Sequence, residues 1–198
     1  NLEILDACDC CGINDAGIVQ LINLRILNVG NNEKITNVNH LMKLEQMNVS
    51  YNSGISDAGI MKCINLKSLD ASNSPKITTV NHLAKLERLD AEGICGINDA
   101  GIMQCINLKT LNVADNQRIT NVNHLMNLET LNAYNNCGIN DAGMAQLINL
   151  RFLNAVNNSK ISNINHLMKL EQINVSYDCG INDAGIVQCI NLELLYAK

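Results

Sequence analysis

The sequence predicts an α/β solenoid: a right-handed curved array with a parallel β-sheet on its concave face and alternating short α and 3-10 segments on its convex face. The main observation is a strict 42-residue repeat that begins at Leu2, Leu44, Leu86, Leu128 and Leu170. Each copy divides into a long half of 22 residues and a short half of 20, and both halves open with L-x-x-[LIM]-x-[AV]. Repeats of this size bury their apolar edge only against neighbouring repeats, as in stacked solenoid coils.

Each half begins with a short predicted strand. In the segment from Leu44 to Val49, the apolar residues Met47 and Val49 alternate with polar ones, which is the period of a strand with one buried face. A turn-prone stretch and an invariant isoleucine at unit position 12 follow. We therefore expect one strand per half, with all strands parallel.

The chain returns differently in the two halves. Long halves read I-[NS]-D-A-G-[IM], where the aspartate, such as Asp57, is predicted to be the N-cap of a helix. Ile60, Cys63 and Ile64 follow at the i, i+3, i+4 spacing of a buried helix face. Apolar residues of the short halves are spaced by three, which favours 3-10 geometry.

Unit position 16 is Gly in every long half and Asn in every complete short half, for example Gly101 and Asn81. Both residues tolerate left-handed backbone and close backbone approach. We predict a positive φ or a close contact between coils at this position. Residues 1–198 are predicted to form a single solenoid domain of about nine and a half coils, from which terminal caps are missing.

The pattern L-x-x-L-x-[AV]-x-x-N-x-x-I, seen at Leu24, Leu27, Val29, Asn32 and Ile35, resembles the leucine-rich repeat family. The long halves resemble its cysteine-containing subclass, and the short halves resemble the internalin and phosphatase-regulator subclasses. The resemblance implies protein recognition on the concave sheet face. It also implies a ladder of hydrogen-bonding side chains at unit position 9 (Asn32, Asn52, Asn116, Asn136 and Asn158, with Cys10, Ser74, Ile94 and Asp178 as departures), interrupted at Ile94.

Cysteine and histidine columns give no sign of a catalytic or metal site. Equivalent residues, such as Cys95 and Cys137 or His82 and His124, recur every second coil, roughly 10 Å apart for parallel strands. A disulfide needs Cα atoms within about 7 Å, and zinc needs several ligands around one point. We expect reduced thiols, although Cys8, Cys10 and Cys11 lie close together, and structural histidines. No catalytic residue, cofactor or metal is predicted, and the chain is not expected to be an enzyme.

Composition and charge exclude further classes of partner. The net charge is −5, and Lys and Arg form no cluster, which argues against nucleic acid. No apolar run is long enough to span a bilayer, so no membrane is expected. Unit position 2 alternates in sign, as in Glu45, Lys67 and Glu87, and predicts an acid/base ladder along the sheet. Free thiols suggest an intracellular protein, cytoplasmic or nuclear, and the Asn- and Ile-rich composition resembles that of protist and large-DNA-virus arrays.

The predicted binding surface comprises outward-facing unit positions 3, 5, 7 and 8. Position 5 is Asp or Asn in every complete half, and such a row could also simply satisfy its own hydrogen bonds. Tyr, Arg and a lone Phe stand out as interface anchors. Asp70, Asp90 and Glu92 could together hold a cation or a basic side chain. The predicted protein-binding residues are Asn48, Tyr51, Arg88, Asp90, Glu92, Asn112, Asn132, Tyr134, Phe152, Asn154, Val156 and Tyr177.

Three functions remain open from the sequence. The first is a non-catalytic scaffold that recognises an unidentified protein through the concave face. The second is self-association, because the segments at Leu2 and Leu192 resemble ordinary repeat strands and would leave core exposed at both ends of the solenoid. The third, substrate recognition for a ubiquitin-ligase adaptor, depends only on the subclass resemblance.

Overall fold

The computed structural model describes residues 1–9 and 11–197. It contains two compact units, Asn1–Cys105 and Ile106–Lys198, here called unit 1 and unit 2. Each unit is a stack of coils, and each coil contributes one three-residue strand. That all 198 residues form a single domain stays a prediction.

Unit 1 contains five parallel strands, each paired in register with the strand of the next coil. They are β1 Ile4–Asp6, β2 Ile26–Asn28, β3 Gln46–Asn48, β4 Ser68–Asp70 and β5 Arg88–Asp90. Long coils return through one-turn helices, namely α1 Asp15–Ile18, α2 Asp57–Ile60 and α3 Asp99–Ile102.

Unit 2 repeats this arrangement. Its strands are β6 Thr110–Asn112, β7 Thr130–Asn132, β8 Phe152–Asn154, β9 Gln172–Asn174 and β10 Leu194–Tyr196, paired parallel and in sequence order. The long coils return through the 3-10 helix Ala142–Met144 and through α4 Asp183–Ile186.

The core of each unit is a set of stacked aliphatic columns. The middle residue of each inner strand points inward, and the first leucine of each inner coil forms a fully buried row that includes Leu44, Leu66 and Leu86. Backbone bonds join the same positions, since Glu45 N donates to Arg25 O and Lys67 N to Glu45 O, both at 2.8 Å. Burying one leucine fully contributes about 1.5–3 kcal/mol. The predicted stacking of like positions into columns is therefore confirmed within each unit.

The buried polar row after the strands differs from the prediction in the long coils. In short coils it lies at unit position 9, as expected (Asn32, Ser74, Asn116 and Asn158). In long coils the inward residue is at position 10 (Cys11, Ser53, Cys95, Cys137 and Cys179). The turn has the same number of residues in both kinds of coil but a different conformation, since Ser53 N donates to Tyr51 O, whereas Asn32 N of a short coil donates to Val29 O. Asn52 and Asn136 are exposed, and so is Asp178. Ile94 is 69% exposed and does not interrupt the row, because Cys95 occupies it; Cys10 lies outside the described residues.

Asn158 shows how this row joins one coil to the next. Its Nδ2 donates to Ala133 O at 3.0 Å, to Cys137 Sγ at 3.3 Å and to Ile139 O at 3.3 Å. Its Oδ1 accepts a bond from Lys160 N at 3.1 Å. One amide thus satisfies the turn of its own coil and the turn of the coil before it.

Unit position 16 is a close contact between coils and not a left-handed residue. A Cβ at Gly59 or Gly101 would collide with the carbonyl oxygen of Thr36 or Thr78 in the preceding coil. The residues with positive φ lie instead at unit position 8 (Asp9, Asn31, Tyr51, Asn73, Gly93, Asp115, Asn135, Asn157 and Tyr177). The expected contact between coils is confirmed, and the alternative of a positive φ at position 16 is wrong.

The helix starts also differ in detail from the prediction. The N-cap is the residue before the aspartate, for example Asn14, whose Oδ1 accepts from Ala16 N at 3.0 Å. Asp15 is the first helical residue and reaches the next coil, where it accepts from Thr36 N at 2.8 Å and Thr36 Oγ1 at 2.7 Å. The Asp15 carboxylate cannot both cap its own helix and accept these bonds from the next coil. In the structure it bonds to the next coil.

The short coils return through separate turns. Leu41 N donates to Val38 O at 2.9 Å and Leu44 N donates to Leu41 O at 3.2 Å. These are single i→i+3 bonds, three residues apart, so they do not build the continuous 3-10 segment that the spacing predicted. The 3-10 helix of unit 2 lies in a long coil, where an α-helix was expected.

Candidate binding surface

The sheet face is defined as the outward side chains of the strands together with the residue two positions after each strand, that is, unit positions 3, 5 and 7. Strand residues at positions 3 and 5 flank a buried residue, for example Ser68 and Asp70 around Leu69. They are half-buried along most of the sheet. Differences between coils on the sheet face are therefore differences in the side chains at these positions.

The Asn/Asp row at position 5 serves the backbone of its own coil. Asn48 Oδ1 accepts from Ser50 N at 2.8 Å, Asp90 Oδ1 from Glu92 N at 3.0 Å, and Asn112 Oδ1 from Ala114 N at 3.1 Å. Asn132 and Asn154 make the same bond to the amide two residues on. These turns fix the exit of the strand, so the row has a structural role whether or not it also contacts a partner.

The tyrosines at position 8 lie at the edge where the strands end. Tyr51 has a φ of 57° and Tyr177 a φ of 61°, and their exposed fractions are 59% and 74%. Most other coils place Asn, Asp or Gly at this left-handed position, because a bulky residue there costs roughly 1–2 kcal/mol. The two rings are held outward at a backbone position that disfavours them.

In unit 2 the sheet face forms a hollow of about 340 Å³ around Phe152. Phe152 pairs in register with Thr130 on one side and Gln172 on the other. The Arg151 guanidinium carbon lies 6.0 Å from the centre of the Phe152 ring, and its Nη2 is 2.7 Å from Glu171 Oε1. Amide groups and a tyrosine complete the lining (Asn132, Asn154, Asn174 and Tyr196). The hollow combines an aromatic floor with hydrogen-bonding walls.

Sequence reasoning missed Tyr196, which takes unit position 5 of the tenth repeat, where Asn174 stands in the coil before it. Continuing the repeat count to the end of the chain would have found it. Of the other predicted residues in this unit, Tyr134 is half-buried, and Val156 exposes only 5% of its surface, which leaves little of Val156 to contact a partner.

The sheet face of unit 1 is acidic at its last two strands. Asp70 and Asp90 are paired in register on β4 and β5, with Arg88 exposed and Glu92 half-buried nearby. Asp70 already accepts from Ser72 N at 3.0 Å and Ser72 Oγ at 2.6 Å. No group of three metal-ligating side chains occurs within residues 1–9 and 11–197. The pair of aspartates is confirmed as neighbours, without a metal-binding arrangement around it.

The charge row at the strand starts is formed as predicted in both units. Glu45 bonds to Arg25 on one side and to Lys67 Nζ at 2.8 Å on the other, and these bonds lower the pKa of the Glu45 carboxyl. In unit 2, Arg151 and Glu171 form the equivalent pair. Exposed pairs of this kind contribute about 0–1 kcal/mol each, so their main effect is on the register of the coils.

The cysteine thiols are poorly suited to nucleophilic chemistry. All eight cysteines in the described part of the chain are free. Burial raises the pKa of Cys63, Cys105 and Cys137 to about 11. Hydrogen bonds to the carboxylates of Asp6 and Asp9 raise the pKa of Cys8 to about 12. A nucleophilic cysteine needs a lowered pKa, so these four thiols stay protonated at neutral pH.

The histidines have structural partners. Nε2 of His40 lies 3.1 Å from Ile18 O, that of His82 3.2 Å from Ile60 O, and that of His166 3.1 Å from Met144 O. Because a carbonyl can only accept, Nε2 carries the proton in each case. Each ring ties a short coil to the helix of the coil before it.

Comparisons with known proteins give matches among solved structures. A scan against family models and a search of curated proteins find no match. An internalin, InlF from Listeria monocytogenes, superposes with a TM-score of 0.60 at 18% identity over 93% of this chain and 66% of its own. TLR13, in a complex with ssRNA13, superposes with a TM-score of 0.67 at 23% identity, over 88% of this chain and 29% of its own. InlJ from Listeria monocytogenes, whose functional domain includes a cysteine ladder, superposes with a TM-score of 0.64 at 19% identity, over 100% of this chain and 49% of its own.

These matches concern the fold, because the identities lie below 25%, and this chain spans between 29% and 66% of the three proteins. The region described contains no helix long and apolar enough to cross a membrane. The parallel strands and their stacked coils agree with the internalin matches. The chain therefore has the leucine-rich repeat fold.

Proposed function

We propose that this chain is a non-catalytic scaffold that binds a partner protein through its sheet face, with the hollow around Phe152 as the main contact. The observation that carries the proposal is the hollow itself, because it places an aromatic ring on the sheet face between the polar residues Thr130 and Gln172. Phe152 is the only phenylalanine of the chain. It faces outward between Thr130 and Gln172, where it adds nothing to the leucine core.

The chemistry of the hollow favours a protein as the ligand. Binding energy at protein interfaces concentrates on aromatic and arginine anchors in partly desolvated pockets. Phe152 and Tyr196 supply the aromatic surface, Arg151 packs over the ring, and the amides around them can orient a backbone or polar side chain. Strands β6–β10 contain no Lys or Arg, and Arg151 beside the hollow is paired with Glu171, so this face has no cluster of cations to hold a phosphate backbone.

The fold neighbours support a binding role at a coarser level. The TLR13 structure is a complex with ssRNA13, so it supports binding as a role of this fold and not the kind of partner. The absence of catalysis is part of the proposal, and its support is the protonated thiols and the carbonyl-bound histidines. Placement inside the cell is also a proposal, supported by free thiols. A role as a ubiquitin-ligase adaptor stays a prediction from the sequence resemblance.

Affinity capture from the source cell with three matched baits tests the proposal. The baits are the wild type, Phe152→Ala, and Gln46→Ala, which changes the same repeat position on β3 of unit 1. We expect the wild type and Gln46→Ala to capture the same protein and Phe152→Ala to lose at least 10-fold of it, since an interface anchor contributes roughly 2 kcal/mol or more. Equal capture by all three baits would contradict the proposal.

A second candidate is self-association through the terminal coils. Leu2 and Leu195 are about half exposed, whereas their equivalents Leu24 and Ile173 are buried. If the first coil of one chain stacked on the last coil of another, the sheet would be extended and Leu2 and Leu195 would be buried in the same columns as Leu24 and Ile173. Because such contacts are head to tail, the mass would grow beyond two chains with concentration, and light scattering measures this directly.

A further inference from the structure

The return side of unit 2 carries a continuous row of exposed apolar side chains that neither the core nor the proposed sheet-face site uses. We call it the apolar ridge and define it as the residue two positions before the first leucine of each following coil. It consists of Ile106, Met126, Ile148, Met168 and Ile190, with exposed fractions of 56%, 54%, 50%, 45% and 77%. Five successive coils each contribute one Ile or Met.

The ridge differs from what the sequence predicted. In unit 1, Ile64 was expected to continue the buried helix face, but α2 ends at Ile60 and Ile64 is half exposed. The same holds in unit 2, where the 3-10 helix ends at Met144 and Ile148 lies beyond it. Buried residues of these segments, such as Cys63 and Leu147, already fill the interior. The ridge side chains are therefore available to an outside partner.

The ridge has a fixed backbone. Asn127 Nδ2 donates to Ile106 O at 3.0 Å, Asn149 Nδ2 to Met126 O at 2.9 Å and Asn191 Nδ2 to Met168 O at 2.6 Å. Each asparagine comes from the coil after the ridge residue that it holds. The row is thus a rigid line with polar side chains directly beside it, which is the arrangement of an apolar interface core and its rim.

The size and repetition of the ridge indicate its occupant. Its five side chains expose on the order of 500 Å², which with a polar rim approaches the roughly 800 Å² that each partner contributes to a standard interface. Ile and Met alternate from coil to coil, so two such ridges can face each other along their whole length. Adaptable methionines fit between the stiffer isoleucines of the facing ridge.

A lipid surface fits less well. The ridge contains no Trp, Tyr or Phe, the residues that anchor proteins at the membrane interface, and a net charge of −5 repels anionic lipids. We propose that a second copy of this chain packs against the apolar ridge and forms a closed, two-fold dimer. This contact is separate from the sheet face and from the terminal coils.

The test is the molar mass of the full chain by light scattering from about 1 to 300 µM, a range that brackets weak and moderate dimers. The test variant is Met126→Gln/Ile148→Gln/Met168→Gln, and the control is Phe152→Ala on the opposite side of the coils. Circular dichroism melting checks that the variants fold. We expect the wild type and Phe152→Ala to reach twice 21.7 kDa and stop there, and the triple variant to dimerise at least about 100-fold more weakly.

Several results would overturn the proposal. One is a wild type that stays at 21.7 kDa throughout the range, and another is a triple variant that dimerises as well as the wild type. A mass that rises beyond two chains would indicate stacking of terminal coils instead. Co-sedimentation with phosphatidylcholine/phosphatidylserine vesicles, lost in the triple variant while the wild type is monomeric, would assign the ridge to lipid.

Discussion

Replacing Gly101 by alanine is expected to destabilise the fold, although alanine is the better helix former. Gly101 lies in α3, where Gly→Ala would ordinarily stabilise by roughly 0.5–1 kcal/mol. The added Cβ, however, would collide with the backbone oxygen of Thr78 in the preceding coil. Neither group can move without separating two coils, and overpacking of this kind costs typically 1–3 kcal/mol. We expect a net loss of about 2 kcal/mol.

Gly17 is the matched control, because it occupies the same repeat position in α1 and has only the Ile13 Cγ2 methyl, at 3.2 Å, near the place of its Cβ. Gly17→Ala is expected to be neutral or slightly stabilising. Urea unfolding followed by far-ultraviolet circular dichroism gives both free energies of unfolding. If the two variants change stability equally, close contact between coils does not explain the glycine at this position.

Three further predictions concern the ladder, acid stability and the thiols. Asn158→Ala should cost about 2–4 kcal/mol in urea unfolding, because it leaves several buried partners unpaired, whereas the exposed Asn136→Ala should stay within about 0.5 kcal/mol. Burial raises the pKa of Asp15 and Asp141, but hydrogen bonds from Thr36 and Ser162 and from the next backbone amides outweigh it, so both pKa values are lowered in the folded chain. The two carboxylates therefore stabilise the fold above about pH 4, and this stabilisation is lost as the pH falls through their folded pKa values. At pH values below about 4 the midpoint urea concentration of unfolding should decrease, and it should decrease less steeply in Asp141→Asn. Ellman's reagent at pH 8 should label Cys63, Cys105 and Cys137 at least about 100-fold more slowly in the folded than in the unfolded chain, given pKa values of about 11.

Much of the fold follows from the repeat pattern. Counting from the first leucine of each half places the strands and the buried columns correctly, because stacked coils must align like positions. The count fails after the strand in the long halves, where a different turn conformation moves the inward side chain from Asn52 to Ser53 and from Ile94 to Cys95. The number of residues between the strand and the next isoleucine is the same in both halves, so the spacing alone does not reveal which turn residue points inward.

The surface was less predictable than the core. Ile64 follows Ile60 at helical spacing, and only the end of α2 after one turn shows that its side chain faces water. Phe152 was correctly singled out as an unusual outward residue, because a repeat pattern makes a departure easy to see. Its ligand contacts stay a prediction, since they depend on a partner that the sequence does not encode.

The most direct test of the stacked coils is the measurement of scalar couplings across hydrogen bonds by NMR on deuterated, uniformly labelled protein. The structure gives bonds from Arg151 N to Glu129 O at 2.8 Å and from Glu171 N to Arg151 O at 2.9 Å. Couplings that join Arg151 N to the Glu129 carbonyl carbon and Glu171 N to the Arg151 carbonyl carbon are the expected result. Couplings from these amides to any other carbonyl would contradict the alignment of like positions on which the ladder, the hollow and the ridge depend.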